Sequence, residues 1–179
     1  MKRFLSLVCV TMLAMAASAQ ITWNAKGGFG VATCYGSDTE GLENHLVSKI
    51  GAGIEYPLTS NLSLMPSLEF AWKGTEGEGN NLDLYYLQVP VVAAYRMNLT
   101  DTWNLTLKAG PYFAFKISDK VNDSGNFGAE SFDAGLDIGI DFEHHRFVFG
   151  VEVEAGACNL INDLDAKNLA FYATIGWKF

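Results

Sequence analysis

Residues 131–156, SFDAGLDIGIDFEHHRFVFGVEVEAG, alternate apolar and polar side chains along almost their whole length. Successive side chains of a β-strand point to opposite faces, so this alternation predicts two strands joined by a tight turn at 143–146. One face of the hairpin is aromatic and aliphatic, and the other carries aspartate, glutamate and glycine. Each arm has about ten residues, the length that crosses a bilayer as a tilted strand. The rest of the chain must therefore fit a sheet with one apolar and one polar face.

The same two-faced pattern recurs in six further segments, and no helical period of comparable length competes with it. The predicted strands are 22–34, 46–58, 62–73, 86–97, 103–117, 132–143, 147–156 and 168–179. Pro66 is unusual within the third strand, because proline donates no hydrogen bond to a ladder. The chain is therefore predicted to be an all-β domain of eight antiparallel strands.

The connections between these strands alternate between short and long. The short ones are 57–61, 98–102 and 144–145, and the long ones are 35–45, 74–81, 118–130 and 159–167. Outer-membrane barrels place short turns in the periplasm and longer loops outside the cell. We therefore expect an up-and-down transmembrane β-barrel with four longer extracellular loops.

Alternation alone does not show which face is inside, because a soluble barrel with an apolar core also alternates. The aromatic residues of the apolar face gather at the strand ends, as in the headgroup belts of membrane proteins. The belt residues with polar rings are Trp23, Tyr56, Tyr95, Trp103 and Trp177 at the short-turn end and Trp72 at the other. Most strand glycines lie on the polar face, which suits a narrow lumen. Both features predict that the apolar face contacts lipid.

Residues 1–19 are predicted to be a cleaved secretory signal peptide. Lys2 and Arg3 precede an apolar run that ends in Ala17-Ser18-Ala19, and the run is shorter than the ~20 residues of a spanning helix. Residues 20–179 would then be the mature domain. Loss of the two bases changes the formal net charge from −8 to −10, which argues against a nucleic-acid partner.

Export permits a disulfide between Cys34 and Cys158, the cysteines that remain after cleavage. Both are expected on the inward face, on strands separated by one other strand. Such strands are about 9.6 Å apart, whereas the Cα atoms of a disulfide are less than ~7 Å apart. The sequence therefore disfavours this disulfide without excluding it.

With its polar face inward, the lumen would contain eight acids and seven bases. They are Glu55, Glu69, Asp133, Asp137, Asp141, Glu143, Glu152 and Glu154, and Lys26, Lys49, Lys73, Arg96, Lys108, Lys116 and Lys178. Six acids come from the hairpin described first, so an acidic wall is expected to face a largely basic one. The interior of an eight-stranded barrel is just wide enough to be filled by side chains. This favours a lumen filled with ion pairs over the alternative, a narrow path for ions or a small solute.

A turn at 144–145 would place Asp137 opposite Glu152, and directly opposed like charges are unfavourable. We expect Lys108 from the adjacent strand to bridge these two carboxylates. Substitution Lys108→Ala is then expected to lower thermal stability.

No nucleophile–base pair, phosphate-binding loop or metal cluster stands out in the sequence, so no catalytic residue, cofactor or metal is predicted. His144 and His145 are expected in a surface turn, because adjacent side chains rarely converge on one ion. A membrane enzyme such as a lipid hydrolase would need a serine or histidine at the outer rim. His45 is the nearby candidate for that position.

The runs LYYLQVPVVAAYRM, KAGPYFAF, FDAGLDIGIDFE and FYATIGWKF resemble the PorT-type outer-membrane β-barrel domain across essentially the whole mature chain. The resemblance implies a bacterial protein surrounded by outer-membrane lipid, and it implies no reaction. The terminal Phe179 resembles the signal that the barrel-assembly machinery recognises. We therefore expect a monomeric structural or surface-interaction protein whose loops meet an unidentified extracellular partner, with a narrow channel or carrier as the alternative.

Overall fold

The computed structural model of the chain describes residues 21–36, 42–43, 45–77, 80–121, 131–161 and 164–179. These residues form eight long antiparallel strands, as the alternation predicts. The strands are β1 Thr22–Tyr35, β2 His45–Pro57, β3 Leu62–Gly77, β4 Asn80–Asn98, β5 Trp103–Val121, β6 Phe132–His144, β7 Phe147–Ile161 and β8 Leu164–Lys178. A two-residue strand, Leu42–Glu43, precedes β2 and pairs with the end of β3.

The sheet closes on itself, since each strand pairs with the next in sequence and β8 pairs with β1. The closing ladder runs from Asn24 opposite Lys178 to Tyr35 opposite Lys167. A closed barrel satisfies the backbone hydrogen bonds of all its strands internally, as a structure surrounded by hydrocarbon must. No helix long and apolar enough to cross a membrane occurs in the described part of the chain.

The outer surface of the barrel is an apolar band that would be strongly unfavourable in water. Phe29, Ile50 and Ile175 are 73%, 66% and 57% exposed although they lie in mid-strand. Along each strand, the positions that alternate with these outward residues point inward, and they include buried lysines, aspartates and glutamates. The apolar face is therefore outward, as predicted.

Aromatic side chains mark the two edges of this band. Trp103 and Phe113 are ten residues apart on β5, and both are outward and about 40% exposed. Ten residues at ~3.3 Å each, tilted by ~40°, span about 25 Å, which is the height of the apolar band of outer-membrane barrels. Phe147 packs edge-on against Trp177 at the short-turn end, with ring centroids 4.6 Å apart. Phe115 and Phe132 pack at 5.4 Å at the opposite end.

Several strands are longer than predicted at the end away from the short turns. β3 continues to Gly77 and β4 begins at Asn80, so most of the predicted loop 74–81 is strand. The predicted loop 159–167 is likewise mostly strand. Outside the apolar band neither face contacts lipid, so these segments need no alternation and the sequence pattern does not detect them. The predicted loops 35–45 and 118–130 lie largely outside the described residues.

The turn between β6 and β7 is shifted by one residue from its predicted position. Its two loop residues are His145 and Arg146, and His144 lies opposite Phe147. His145 has a φ of 56°, a left-handed conformation suited to the first position of a tight hairpin turn. The shift changes each facing pair by two residues and leaves the inward and outward faces unchanged. Asp137 therefore faces Glu154 across the ladder, and the predicted pairing with Glu152 is wrong.

Pro66 interrupts the ladder between β2 and β3, as its missing N–H requires. The pairing stops after Gly53 opposite Ser67 and resumes, in unchanged register, at Tyr56 opposite Leu64. On its other side Pro66 still lies opposite Val91 of β4. β3 therefore accommodates Pro66 without a bulge.

Candidate functional site: the charged lumen

Charged side chains fill the lumen in two groups. The first, the lower ring, lies at the short-turn end and consists of Glu55, Arg96, Glu143 and Lys178. The second, the central network, consists of Lys26, Lys49, Glu69, Lys73, Lys108, Asp141, Glu152 and Glu154.

The lower ring is a closed cycle of alternating acids and bases. Its members lie on β2, β4, β6 and β8, at the inward positions nearest the short-turn end of the barrel. An Arg96 guanidinium nitrogen lies 2.8 Å from a Glu55 oxygen and 3.1 Å from a Glu143 oxygen. Lys178 Nζ lies 2.8 Å from Glu55 and 2.7 Å from Glu143. Each acid therefore contacts both bases, and the ring closes this end of the lumen with balanced charge.

Glu152 of β7 is the centre of the second group and is 1% exposed. Lys26 Nζ and Lys108 Nζ lie 2.9 Å and 2.7 Å from its Oε1, and Lys49 Nζ contacts its Oε2. These lysines come from three different strands, so Glu152 joins β1, β2 and β5 across the lumen. A buried carboxylate is tolerable here because several cations compensate it.

Glu154 lies two residues further along β7, on the same face, and it also pairs with lysines from two other strands. Lys49 Nζ lies 2.7 Å and Lys73 Nζ 2.6 Å from its two oxygens. The amide of Gln88 donates a hydrogen bond of 2.7 Å to the same carboxylate. Glu69 completes the network through Lys26, at 3.0 Å, and Lys49, at 3.5 Å.

Lys108 bridges two carboxylates, although one of them differs from the prediction. Its Nζ lies 2.7 Å from Asp141 Oδ2 and 2.7 Å from Glu152 Oε1. The predicted contact of Lys108 with Glu152 is therefore present, but the predicted contact with Asp137 is replaced by one with Asp141. The cause is the shifted hairpin register, which places Gly139 opposite Glu152.

Two lumen acids, Asp133 and Asp137, form no ion pair with any described residue. Asp133 accepts hydrogen bonds from the Tyr112 hydroxyl, at 2.9 Å, and from the Asn168 amide, at 3.4 Å. Asp137 is 2% exposed, and its Oδ1 is buried with no hydrogen-bond partner. Lys116, also expected in the lumen, lies half-buried toward the outer end of β5.

Three tyrosines, Tyr86, Tyr112 and Tyr172, pack against lysines of the central network and are almost fully buried. Lys49 Nζ lies 4.5 Å from the ring centroid of Tyr172, and Lys73 Nζ lies 4.7 Å from that of Tyr112. Both distances suit cation–π attraction. The alternation places these rings inward, but it does not indicate this second role of the lysines.

The remaining candidates from the sequence are cysteines and histidines near the strand ends. Cys158 is a free, partly buried cysteine, and the side chain of Cys34 lies outside those described. His45 is buried, and its ring packs edge-on against Trp72, with ring centroids 5.6 Å apart. The rings of His144 and His145 stack on each other at 4.4 Å in the hairpin turn.

A closed eight-stranded barrel with an apolar outer band, aromatic edges and a charged lumen defines a small transmembrane β-barrel of the outer-membrane class. Residues 4–179 match the outer membrane protein beta-barrel domain family, and the chain belongs to this family. It is therefore an integral β-barrel protein of the bacterial outer membrane.

Solved structures support the fold. The chain is similar to the outer membrane enzyme PagL, with 16% identity, coverage of 86% of this chain and 98% of PagL, and a TM-score of 0.57. Neisserial surface protein A (NspA) is 14% identical over 89% of this chain and 97% of its own, with a TM-score of 0.54. The outer membrane protein OprG from Pseudomonas aeruginosa is 14% identical over 88% and 95%, with a TM-score of 0.51. No curated protein sequence matches the chain.

Proposed function

We propose that this protein is a monomeric structural or surface-interaction protein of the outer membrane, with a lumen closed to solutes. The observation that carries the proposal is the filled cross-section at the central network. Lys73, Gln88 and Tyr112 are 0% exposed there, and they come from three adjacent strands. A water-filled path through this level would leave such side chains partly accessible. The narrow channel or carrier is the alternative, and it requires these groups to move apart.

The long strands support the surface-interaction part of the proposal. Backbone pairing between β3 and β4 continues to Gly77 opposite Asn80, and pairing between β4 and β5 continues to Leu82 opposite Val121. These pairs lie beyond the outer aromatic edge, so the ends of β3, β4 and β5 project from the membrane as a paired sheet. Paired strands hold such a projection in a fixed shape, which favours contact with a partner outside the cell.

The proposal also includes a subfamily, a signal peptide and an assembly signal. The sequence runs quoted above support a place among PorT-type barrels, residues 1–19 act as a cleaved signal peptide, and Phe179 is recognised by the barrel-assembly machinery. No reaction is assigned, because the similarity to PagL shows a shared fold alone and the one histidine candidate, His45, is buried. Lipid surrounds the apolar band as the permanent partner of the barrel.

Ion conductance of the refolded protein in a planar bilayer tests this proposal, with a heat-modifiable gel band as proof of folding. The folded wild type is expected to show no unitary current steps. The double variant Lys73→Ala/Tyr112→Ala removes two side chains from the closed cross-section and is expected to conduct, which demonstrates that the assay detects an opened lumen. Stable steps from the wild type would support the channel instead.

A further inference from the structure

A cleft in the outer surface of the barrel runs along β1 at Gly27. This glycine lies opposite Ile50 of β2 in one ladder and opposite Ile175 of β8 in the other. Neighbouring strands are ~4.8 Å apart, so the two isoleucines stand about 9.6 Å apart with no side chain between them. Both are more than half exposed, at 66% and 57%. The missing side chain of Gly27 therefore leaves a cleft between two outward apolar side chains.

The cleft continues along β1 toward the short turns, where Ala25 lies opposite Trp177. Together with Phe147, these residues line a groove of about 330 Å³. The packed rings of Phe147 and Trp177 belong to the aromatic edge at the short-turn end. Such aromatic belts lie at the level of the lipid headgroups. The groove therefore begins at the headgroup level and continues into the hydrocarbon band.

An exposed cation lies next to the aromatic end of the groove. Arg146 directly precedes Phe147, and its carbonyl oxygen accepts a hydrogen bond of 2.8 Å from the backbone N–H of Lys178, the residue after Trp177. Among the described residues at the short-turn end, the other lysine and arginine side chains, Lys178 and Arg96, belong to the lower ring inside the lumen. A guanidinium matches the geometry of a phosphate and binds it through paired hydrogen bonds. Arg146 therefore places a phosphate-binding group beside an apolar groove.

We propose that this groove binds one glycerophospholipid of the leaflet at the short-turn end, with an acyl chain over Gly27 and the phosphate at Arg146. The apolar walls match the acyl chain, and the guanidinium matches the headgroup at the level where the headgroup lies. A second copy of the barrel fits less well, because two copies joined through this face would bring their Arg146 side chains together. The inference goes beyond the proposed function, in which lipid only surrounds the apolar band.

Native mass spectrometry of the refolded, delipidated protein in detergent micelles tests this site, with dioleoyl phosphatidylglycerol as the probe. The wild type is expected to bind a first lipid molecule more tightly than any further one. Gly27→Leu fills the cleft, where a Cβ atom meets only the carbonyl oxygen of Lys49 at 3.8 Å, and is expected to lose this first binding step. Ala109→Leu introduces the same side chain at an exposed outward position of β5 and is expected to retain it. The heat-modifiable gel band shows that each variant is folded.

Arg146→Gln tests the headgroup contact separately from the acyl chain. Its affinity for the first phosphatidylglycerol is expected to fall about fivefold, the effect of one basic side chain at a membrane surface. Its affinity for dioleoylglycerol, which has the same acyl chains and no phosphate, is expected to equal that of the wild type.

Binding of successive lipids to the wild type with no tighter first step would overturn the proposal, and this result needs no variant to fold. A first step of unchanged affinity in folded Gly27→Leu would also overturn it, because the lipid would then bind elsewhere. Equal effects of Arg146→Gln on both lipids would remove the phosphate contact on which the choice of ligand depends. A wild-type dimer that forms without lipid and is lost in Gly27→Leu would identify a second copy as the occupant instead.

Discussion

Glu152 illustrates how a charged residue is accommodated at the centre of a membrane barrel. Three lysines from three strands surround its carboxylate, and each of them also pairs with a second acid of the network. Loss of such a shared charge affects more than one pair, because every lysine keeps its own charge in a buried site.

Glu152→Gln is therefore expected to lower the free energy of unfolding by about 3–5 kcal/mol. Urea unfolding of the refolded protein in micelles measures this loss. The control is Asp137→Asn, which breaks no ion pair with a described residue and removes a carboxylate that lies within 4.8 Å of two others, so it is not expected to lower the free energy of unfolding. Equal losses in the two variants would mean that the ion pairs of Glu152 contribute little.

Gly150 shows how tightly the lumen side chains pack against the backbone of β7. A Cβ atom at this position would overlap Asp141 Oδ1 and lie 2.8 Å from Thr174 Oγ1. Gly27, on the outward face, has only the carbonyl oxygen of Lys49 nearby, at 3.8 Å.

Gly150→Ala is expected to cost about 1–3 kcal/mol, because the Asp141 carboxylate must move away from the added methyl group. Gly27→Ala is the matched control and is expected to change stability by no more than about 0.5 kcal/mol. The same urea unfolding experiment compares the two substitutions. A Gly27→Ala loss as large as that of Gly150→Ala would show that flexibility of the strands, rather than lumen space, is limiting.

At the residue scale, the sequence predicts which way a side chain points better than it predicts which residue it pairs with. A period of two residues places Glu152 and Lys108 inward without any knowledge of the neighbouring strands. Their partners depend on register, which a one-residue shift of the hairpin turn to His145 and Arg146 altered. Asp137 consequently faces Glu154, and Lys108 reaches Asp141 instead of Asp137.

At the scale of elements, the strands within the apolar band were predictable and their outer extensions were not. Lipid on one side and a crowded lumen on the other impose alternation on β3 only between its turn and Trp72. Beyond that point water surrounds both faces, and the polar residues up to Gly77 satisfy a strand as well as a loop. The polar composition of residues 74–77 therefore predicted a loop, whereas backbone pairing with β4 makes them part of the sheet.

The topology of these extensions gives a prediction about accessibility. Ser118 lies in the outer part of β5, and Thr59 lies in the short turn between β2 and β3; both are exposed. With Cys34 and Cys158 replaced by serine, Ser118→Cys is expected to react with a membrane-impermeant maleimide on intact cells. Thr59→Cys is expected to react only after the outer membrane is permeabilised. The reverse pattern would invert the barrel in the membrane.

At the scale of the whole molecule, the proposed assembly signal, Phe179, can be tested separately from the stability of the folded barrel. The backbone N–H of Phe179 donates a hydrogen bond of 2.8 Å to the carbonyl of Trp23. Its side chain is 66% exposed, so the ring adds little to packing within the barrel. A role in recognition during assembly therefore separates cleanly from a role in stability.

Phe179→Ala is expected to reduce the amount of folded protein in outer membranes several-fold and to leave the unfolding free energy of the refolded protein nearly unchanged. The heat-modifiable band in membrane fractions measures the first quantity, and urea unfolding measures the second. Phe29→Ala, a change to another exposed outward phenylalanine, is the control and is expected to assemble normally. Normal assembly of Phe179→Ala would remove the terminal aromatic residue from the recognition signal.

The ion pairs across the lumen also affect how the protein enters a bilayer. Lys26 meets Glu152 over a sequence separation of 126 residues, and Lys49 meets Glu154 over 105 residues. These pairs form only when the barrel closes and brings β1 and β2 close to β7. A partly inserted, open sheet would expose unneutralised charges of β1, β2 and β7 to hydrocarbon, and its edges would leave backbone groups unpaired as well. Such long-range contacts slow folding, since chain entropy is lost before they form. Insertion of this chain is consequently expected to be all-or-none, with its rate-limiting barrier at the moment of closure.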